Sequence, residues 1–233
     1  MPRLVTLLSI CLVALLACSA PQEPTVNLFR AVELGDLDQV ERHLYWDTDL
    51  EETDAAGDRP LHIAAQQGRI AIARALVRHG ADLSARDGDG HTPLEVALIR
   101  GRTQLAEMLI DEGAPLAAQD MLFRLVREGV SDRDSLAFLV ERGADLDARD
   151  ADGLAPIHRA VADGRLELTT RLIRAGIDIN RHDEAGRTPL AIALTNGDRD
   201  IIALLRQFGA QTTGQPPLTD QPTEATTEIA NDR

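Results

Sequence analysis

The chain has 233 residues, 44% hydrophobic and 3% aromatic, with a formal net charge of −14. That is apolar enough to bury a core in one large domain or two small ones, which excludes disorder along the whole length. All 24 basic residues are Arg, and the acidic excess disfavours both a nucleic-acid groove and adhesion of the folded body to anionic lipid.

At the N-terminus, Arg3 precedes a mostly apolar run from Leu4 to Ala17. The run falls short of the roughly 20 residues that a membrane span needs, and its length suits the core of an export signal. It ends Leu15-Leu16-Ala17-Cys18, with Ser19 and Pro21 following. This resembles the bacterial lipoprotein lipobox. The resemblance implies a signal peptide over residues 1–17, cleavage before Cys18 and acylation of its thiol. It also implies a lipid-anchored protein of the bacterial cell envelope. Ser19 in place of Asp implies the periplasmic face of the outer membrane, by the enteric-type sorting rule. An ordinary secretory signal that contains a Cys is the alternative. The two cysteines, Cys11 and Cys18, both lie in this segment. The folded body therefore has no disulfide, thiol nucleophile, Cys-zinc site or iron–sulfur site. Residues 18–26 read as the lipidated Cys and a tether. The eight residues 19–26 reach at most ~26 Å.

Beyond the tether the chain repeats. Asp54, Asp87, Asp120, Asp150 and Asp183 recur at steps of 33 or 30, as do Gly80, Gly113, Gly143, Gly176 and Gly209. Pro60, Pro93, Pro156 and Pro189 keep the same frame with one repeat missing. Arg59-Pro60-Leu61-His62, Thr92-Pro93-Leu94-Glu95, Ala155-Pro156-Ile157-His158 and Thr188-Pro189-Leu190-Ala191 are variants of one string. Gly80-Ala81-Asp82-Leu83 returns as Gly143-Ala144-Asp145-Leu146. These strings resemble the Thr-Pro-Leu-His box and Gly-Ala-Asp close of the ankyrin repeat. The resemblance covers residues 27–210. It implies an all-α repeat solenoid, an ankyrin-like array of about six helix-turn-helix units with β-hairpin loops.

The units fall at 27–53, 54–86, 87–119, 120–149, 150–182 and 183–210. Pro suits the first helical turn, and Thr92 and Thr188 are placed to cap it. Arg59 and Ala155 lack the capping hydroxyl, at a cost of about 1 kcal/mol each. The second helices carry apolar pairs at i and i+4: Ile72/Leu76, Leu105/Leu109, Leu168/Leu172 and Ile201/Leu205. Six packed layers make a curved slab roughly 50–60 Å long. The fourth unit has lost the Pro box. Its first helix, read over residues 122–129, echoes Leu28-Phe29-Arg30-Ala31 of the N-terminal cap, giving two three-unit blocks. The irregularity is either a functional notch or simple drift. Residues 211–233 read as a disordered tail.

No strong chemical constellation emerges. Asp87-Gly88-Asp89-Gly90 and Asp150-Ala151-Asp152-Gly153 read as acidic turns, because an EF-hand would place an acid where Leu98 and Val161 stand. The resemblance makes His62 and His158 buried hydrogen-bond bridges. No spacing for a metal site, phosphate loop or nucleophile elbow is present. The reading is therefore a non-enzyme with no cofactor and no small-molecule substrate. Asp132 and Asp134 are the local carboxylates for an alternative enzyme site at the fourth unit, and they read as helix-start residues. Tyr45 and Trp46 read as packing that seals the first unit, with an exposed hot spot as the alternative.

Function then falls to the variable surface. Transferred by frame, the ankyrin resemblance places protein-binding positions at the hairpin tips Asp58, Asp89, His91, Asp152, Leu154, Glu184 and Arg187. On the first helices it places them at Gln66, Gln67, Ile99, Arg100, Asp163 and Asn196. Ile99 and Leu154 are apolar where solvent is expected, and read as anchors. The whole reads as a lipid-anchored protein–protein interaction module, of scaffold or inhibitor/immunity type, with an unknown protein partner. A passive structural spacer is the further alternative.

Overall fold

The computed structural model describes residues 20–212; the segment read as an export signal, Cys18 and most of the segment read as a tail lie outside them. Twelve short helices form among the described residues, ten of them in five pairs that pack on one another. The pairs are α1 (Leu28–Leu34) with α2 (Leu37–Tyr45), α3 (Pro60–Gln67) with α4 (Ile70–Arg78), and α5 (Pro93–Ile99) with α6 (Thr103–Asp111). Then come α7 (Ala118–Glu128) and α8 (Arg133–Glu141), followed by the pairs α9 (Pro156–Ala162) with α10 (Leu166–Arg174) and α11 (Pro189–Asn196) with α12 (Arg199–Gln207).

Local chemistry sets the helix ends. Pro60, Pro93, Pro156 and Pro189 each occupy the first helical residue. There the missing N–H costs nothing and the fixed φ suits entry. The Thr92 and Thr188 hydroxyls accept from Glu95 N and Ala191 N at 3.3 Å. Glu95 returns a bond to Thr92 N at 2.9 Å, completing a capping box. Arg59 and Ala155 provide no such acceptor. The turn inside a pair is made by glycine in the left-handed region, as at Gly68 with φ 70°.

The described chain forms two compact units. One holds the chain through Met121 together with Asp132–Leu139; the other holds Leu122–Ser131 and the chain from Val140 onward. In the first, α1 packs on α3 and α3 on α5, while α2 packs on α4 and α4 on α6. In the second, α9 packs on α11 and α10 on α12. Each is thus a double layer of first and second helices. The ridges fill the space between layers: Ile72/Leu76, Leu105/Leu109, Leu168/Leu172 and Ile201/Leu205 are all buried. Small Ala64, Ala65, Ala97, Ala160 and Ala193 are fully buried where helices approach.

Three features depart from the sequence reading. The loops between pairs turn back like hairpins, but no strand forms among the described residues. Asp120 is not a turn residue: it lies on the exposed side of α7. That helix starts at Ala118, earlier than the run read as 122–129. Without a Pro box to force a loop, Ala117 O accepts Met121 N at 2.9 Å and the helix extends backward. Finally, Tyr45 and Trp46 do not seal the first unit; both are exposed. The seal is made by buried His43. Its Nε2 donates to Val26 O at 2.7 Å, and its Nδ1 accepts from Thr48 Oγ1 at 3.0 Å. Asp47 takes the left-handed position that Gly80 holds one unit later, with φ 54°.

Candidate protein-binding surface

Four loops share one internal brace. In each, an Asp N–H donates to the carbonyl four residues on: Asp54 to Asp58, Asp87 to His91, Asp150 to Leu154 and Asp183 to Arg187, at 2.9–3.0 Å. The same Asp carboxylate accepts from the backbone N–H of that fourth residue, at 2.7–3.0 Å. The first three also accept from the N–H two residues on: Ala56, Asp89 and Asp152. This is the Asx-turn chemistry that makes Asp a turn residue. Asp58, His91, Leu154 and Arg187 are therefore held by two backbone bonds each.

The tips are further tied to their own helices. Gln66 Nε2 donates to Asp58 Oδ2 at 2.8 Å. Arg159 pairs with Asp150 and Asp152, and within its own loop Arg187 pairs with Asp183 at 2.8 Å. The Asp183 side chain is only 1% exposed. Burial alone would raise its pKa, but the Arg187 backbone N–H and guanidinium outweigh it and hold the carboxyl below its ordinary value. The tips also pack on one another. A Cβ at Gly88 would collide with the Ala56 carbonyl oxygen, so only glycine lets these two turns meet.

Of the positions transferred by frame, Gln67, Asp89, Arg100, Asp152, Asp163, Glu184, Arg187 and Asn196 are exposed. Asp58, Gln66, His91, Ile99 and Leu154 are half-buried. The two apolar positions thus spend part of their area on the fold. Asn196 Nδ2 donates to Ala162 O at 3.2 Å, so that side chain is also structural. Asp132 caps α8 by accepting Ser135 N at 2.8 Å, and Asp134 pairs with Arg133 at 3.0 Å. No group of three or more His, Cys, Asp or Glu able to hold a metal occurs among the described residues.

Sequence reasoning missed a row of arginines after the turn glycines. Arg69 donates to Glu33 O at 3.3 Å, Arg102 to Gln66 O at 3.2 Å, and Arg165 to Arg127 O at 3.1 Å. Each guanidinium supplies a carbonyl at the C-terminus of a preceding first helix, where intrahelical donors run out and a cation is favoured. The recurring Gly-Arg pairs at 68–69, 101–102 and 164–165 were the available signal.

The two box histidines are fully buried. His62 Nε2 faces Ala85 O and His91 O at 3.1 Å each, and its Nδ1 accepts Arg59 N at 3.4 Å. His158 Nε2 donates to Arg181 O at 2.9 Å, but its buried Nδ1 has no partner among the described residues. Burial holds the His158 pKa below its ordinary value, against the Arg181 carbonyl and the Asp183 carboxylate. The neutral ring is then the folded form. Its stabilising effect is complete above the unfolded value of about 6.5 and is lost as pH falls from there toward the lowered folded value. Urea titrations between pH 7.5 and pH 5 should show stability falling by up to about 1.4 kcal/mol per pH unit through this group. In His158→Gln that component should vanish; an unchanged slope would remove His158 as its source.

Stacked helix pairs, Pro-started first helices and Asp-braced turns define a helical repeat protein that presents side chains from its turns. The chain belongs to the ankyrin-repeat family: the three-copy ankyrin-repeat pattern matches residues 28–120 and again 122–215. Among solved structures, it is similar to the human ASB11 ankyrin repeat domain, with TM-score 0.59 and 23% identity, over 80% of this chain and 85% of that one. It is also similar to the ankyrin repeat domain of Bcl-3, a member of the IkappaB family, with TM-score 0.58 and 26% identity, over 82% and 89%. No curated protein matches the sequence significantly. Ankyrin-repeat domains are typically protein–protein interaction modules.

Proposed function

We propose that this protein is a non-catalytic, lipid-anchored interaction module of the bacterial envelope, acting as a scaffold or as an inhibitor or immunity protein. The observation that carries the binding role is the Asp-braced loop, repeated four times with the same bonds. A surface already held in place loses little freedom on docking, so more of the contact energy appears as affinity. The net charge of −14 favours a basic partner, steering its approach. The anchor rests on the Leu15-Leu16-Ala17-Cys18 string, and acylation at Cys18 would place the module on the periplasmic face of the outer membrane.

Two readouts test the two halves. Labelled fatty acid should enter the wild type and be absent from Cys18→Ala; label in both would refute the anchor. A photo-crosslinker placed at Asp89, Asp152 or Glu184 should capture the same protein from intact envelopes. Capture of nothing from all three would favour a passive spacer.

A further inference from the structure

Tyr45 and Trp46 end α2 at the positions that Arg78 and His79 hold at the end of α4. The two residues are 57% and 45% exposed, and their rings stand edge-on with centroids 5.7 Å apart. The first unit is closed without them, by His43. Two large aromatic side chains are thus held in water by a helix end that does not need them.

What lies beside them is the leading segment. Thr25 N donates to Gln39 Oε1 at 2.9 Å, and Val26 O accepts from His43. Glu23, Pro24 and Thr25 line the same shallow groove as Trp46. The chain is therefore pinned next to the aromatic pair before it reaches α1. Whatever path residues 18–22 take, the five-residue step from Cys18 to Glu23 spans at most ~18 Å. An acyl group on Cys18 would keep Glu23, which lines the groove shared with Trp46, within about that distance of the bilayer surface. Rings with an apolar body and a polar tip favour the boundary between water and headgroups. Tethering makes the contact intramolecular, with an effective concentration near the millimolar range, so a two-ring contact suffices.

We infer that the Tyr45–Trp46 pair is a membrane seat, resting in the headgroup layer of the bilayer that holds the Cys18 acyl chains; this rests on the lipid-anchor reading above. Exposed Asp47 and Asp49 follow the pair, so the lipid it fits carries no net negative headgroup charge. The seat fixes which end of the first unit faces the membrane.

Trp46 is the sole tryptophan, so its emission reports the seat directly. The acylated mature protein, beginning at Cys18, is reconstituted in vesicles of phosphatidylcholine and phosphatidylethanolamine, with or without lipid brominated near the headgroup. Flotation reads the anchor and quenching reads the seat. The protein should float, its emission should shift to shorter wavelength, and brominated lipid should remove most of it. Tyr45→Ser keeps the fluorophore and should float equally but lose part of the quenching, with circular dichroism confirming its fold. Floating protein whose emission is unshifted and unquenched overturns the seat and leaves the anchor standing. Protein that does not float overturns the anchor, and the seat with it. Shielding that appears only with an added envelope protein fraction assigns the pair to a protein partner and overturns the seat.

Discussion

His62→Ala should lower the stability of the first compact unit by about 2–4 kcal/mol. The ring is fully buried between α3 and the loop that follows α4. Its removal leaves a cavity and strands the Ala85 carbonyl and the Arg59 N–H, while the His91 carbonyl keeps only its bond from Asp87 N–H. Transfer and cavity terms add to the cost of unpaired polar groups. His79→Ala is the control: that side chain is exposed and reaches only Ala75 O within its own helix, so the change should stay within about 0.5 kcal/mol. Urea unfolding followed by circular dichroism measures both. A His62→Ala loss under about 1 kcal/mol would mean that water enters and replaces the ring's bonds.

Leu109→Ala should cost about 2–5 kcal/mol. Leu109 is fully buried in α6, which packs on α4 and α5. In a repeat array each helix pair touches only its neighbours, so the loss is not spread evenly over the chain. Circular dichroism sees every helix, whereas Trp46 fluorescence sees the end of α2. The two probes should part company in the variant, with the dichroism transition moving to lower urea first. Coincident transitions at an unchanged midpoint would show that α6 is not a structural layer.

The regular part of the fold was legible because its causes are local. A Pro at the first helical turn, a Thr before it and an i, i+4 apolar pair each act within a few residues, and the structure uses them as read. The misreadings come from bonds that cross between units or replace a missing local cue. Nothing near Arg69 or Arg102 in sequence announces a carbonyl 36 residues earlier, although the Gly-Arg repetition was there to see. Tyr45 and Trp46 looked like a seal because a glycine was absent. Asp47 adopts the left-handed turn itself, and His43 closes the unit from the interior of α2. Asp120 kept the spacing of a turn residue, but periodicity alone cannot say whether a Pro-less stretch will loop or stay helical. Of the transferred tips, Asp89, Asp152, Glu184 and Arg187 are exposed and Asp58, His91 and Leu154 are half-buried. The frame could not reveal that Gln66 and Asn196 are engaged in structural bonds.

The contact between Gly88 and the Ala56 carbonyl has an evolutionary consequence. With two neighbouring turns pressed backbone to backbone, neither can accept an inserted residue without prising its neighbour away. New recognition at this edge must therefore arise by exchanging one amino acid for another at fixed stations, and relatives should differ there in letters while keeping the count.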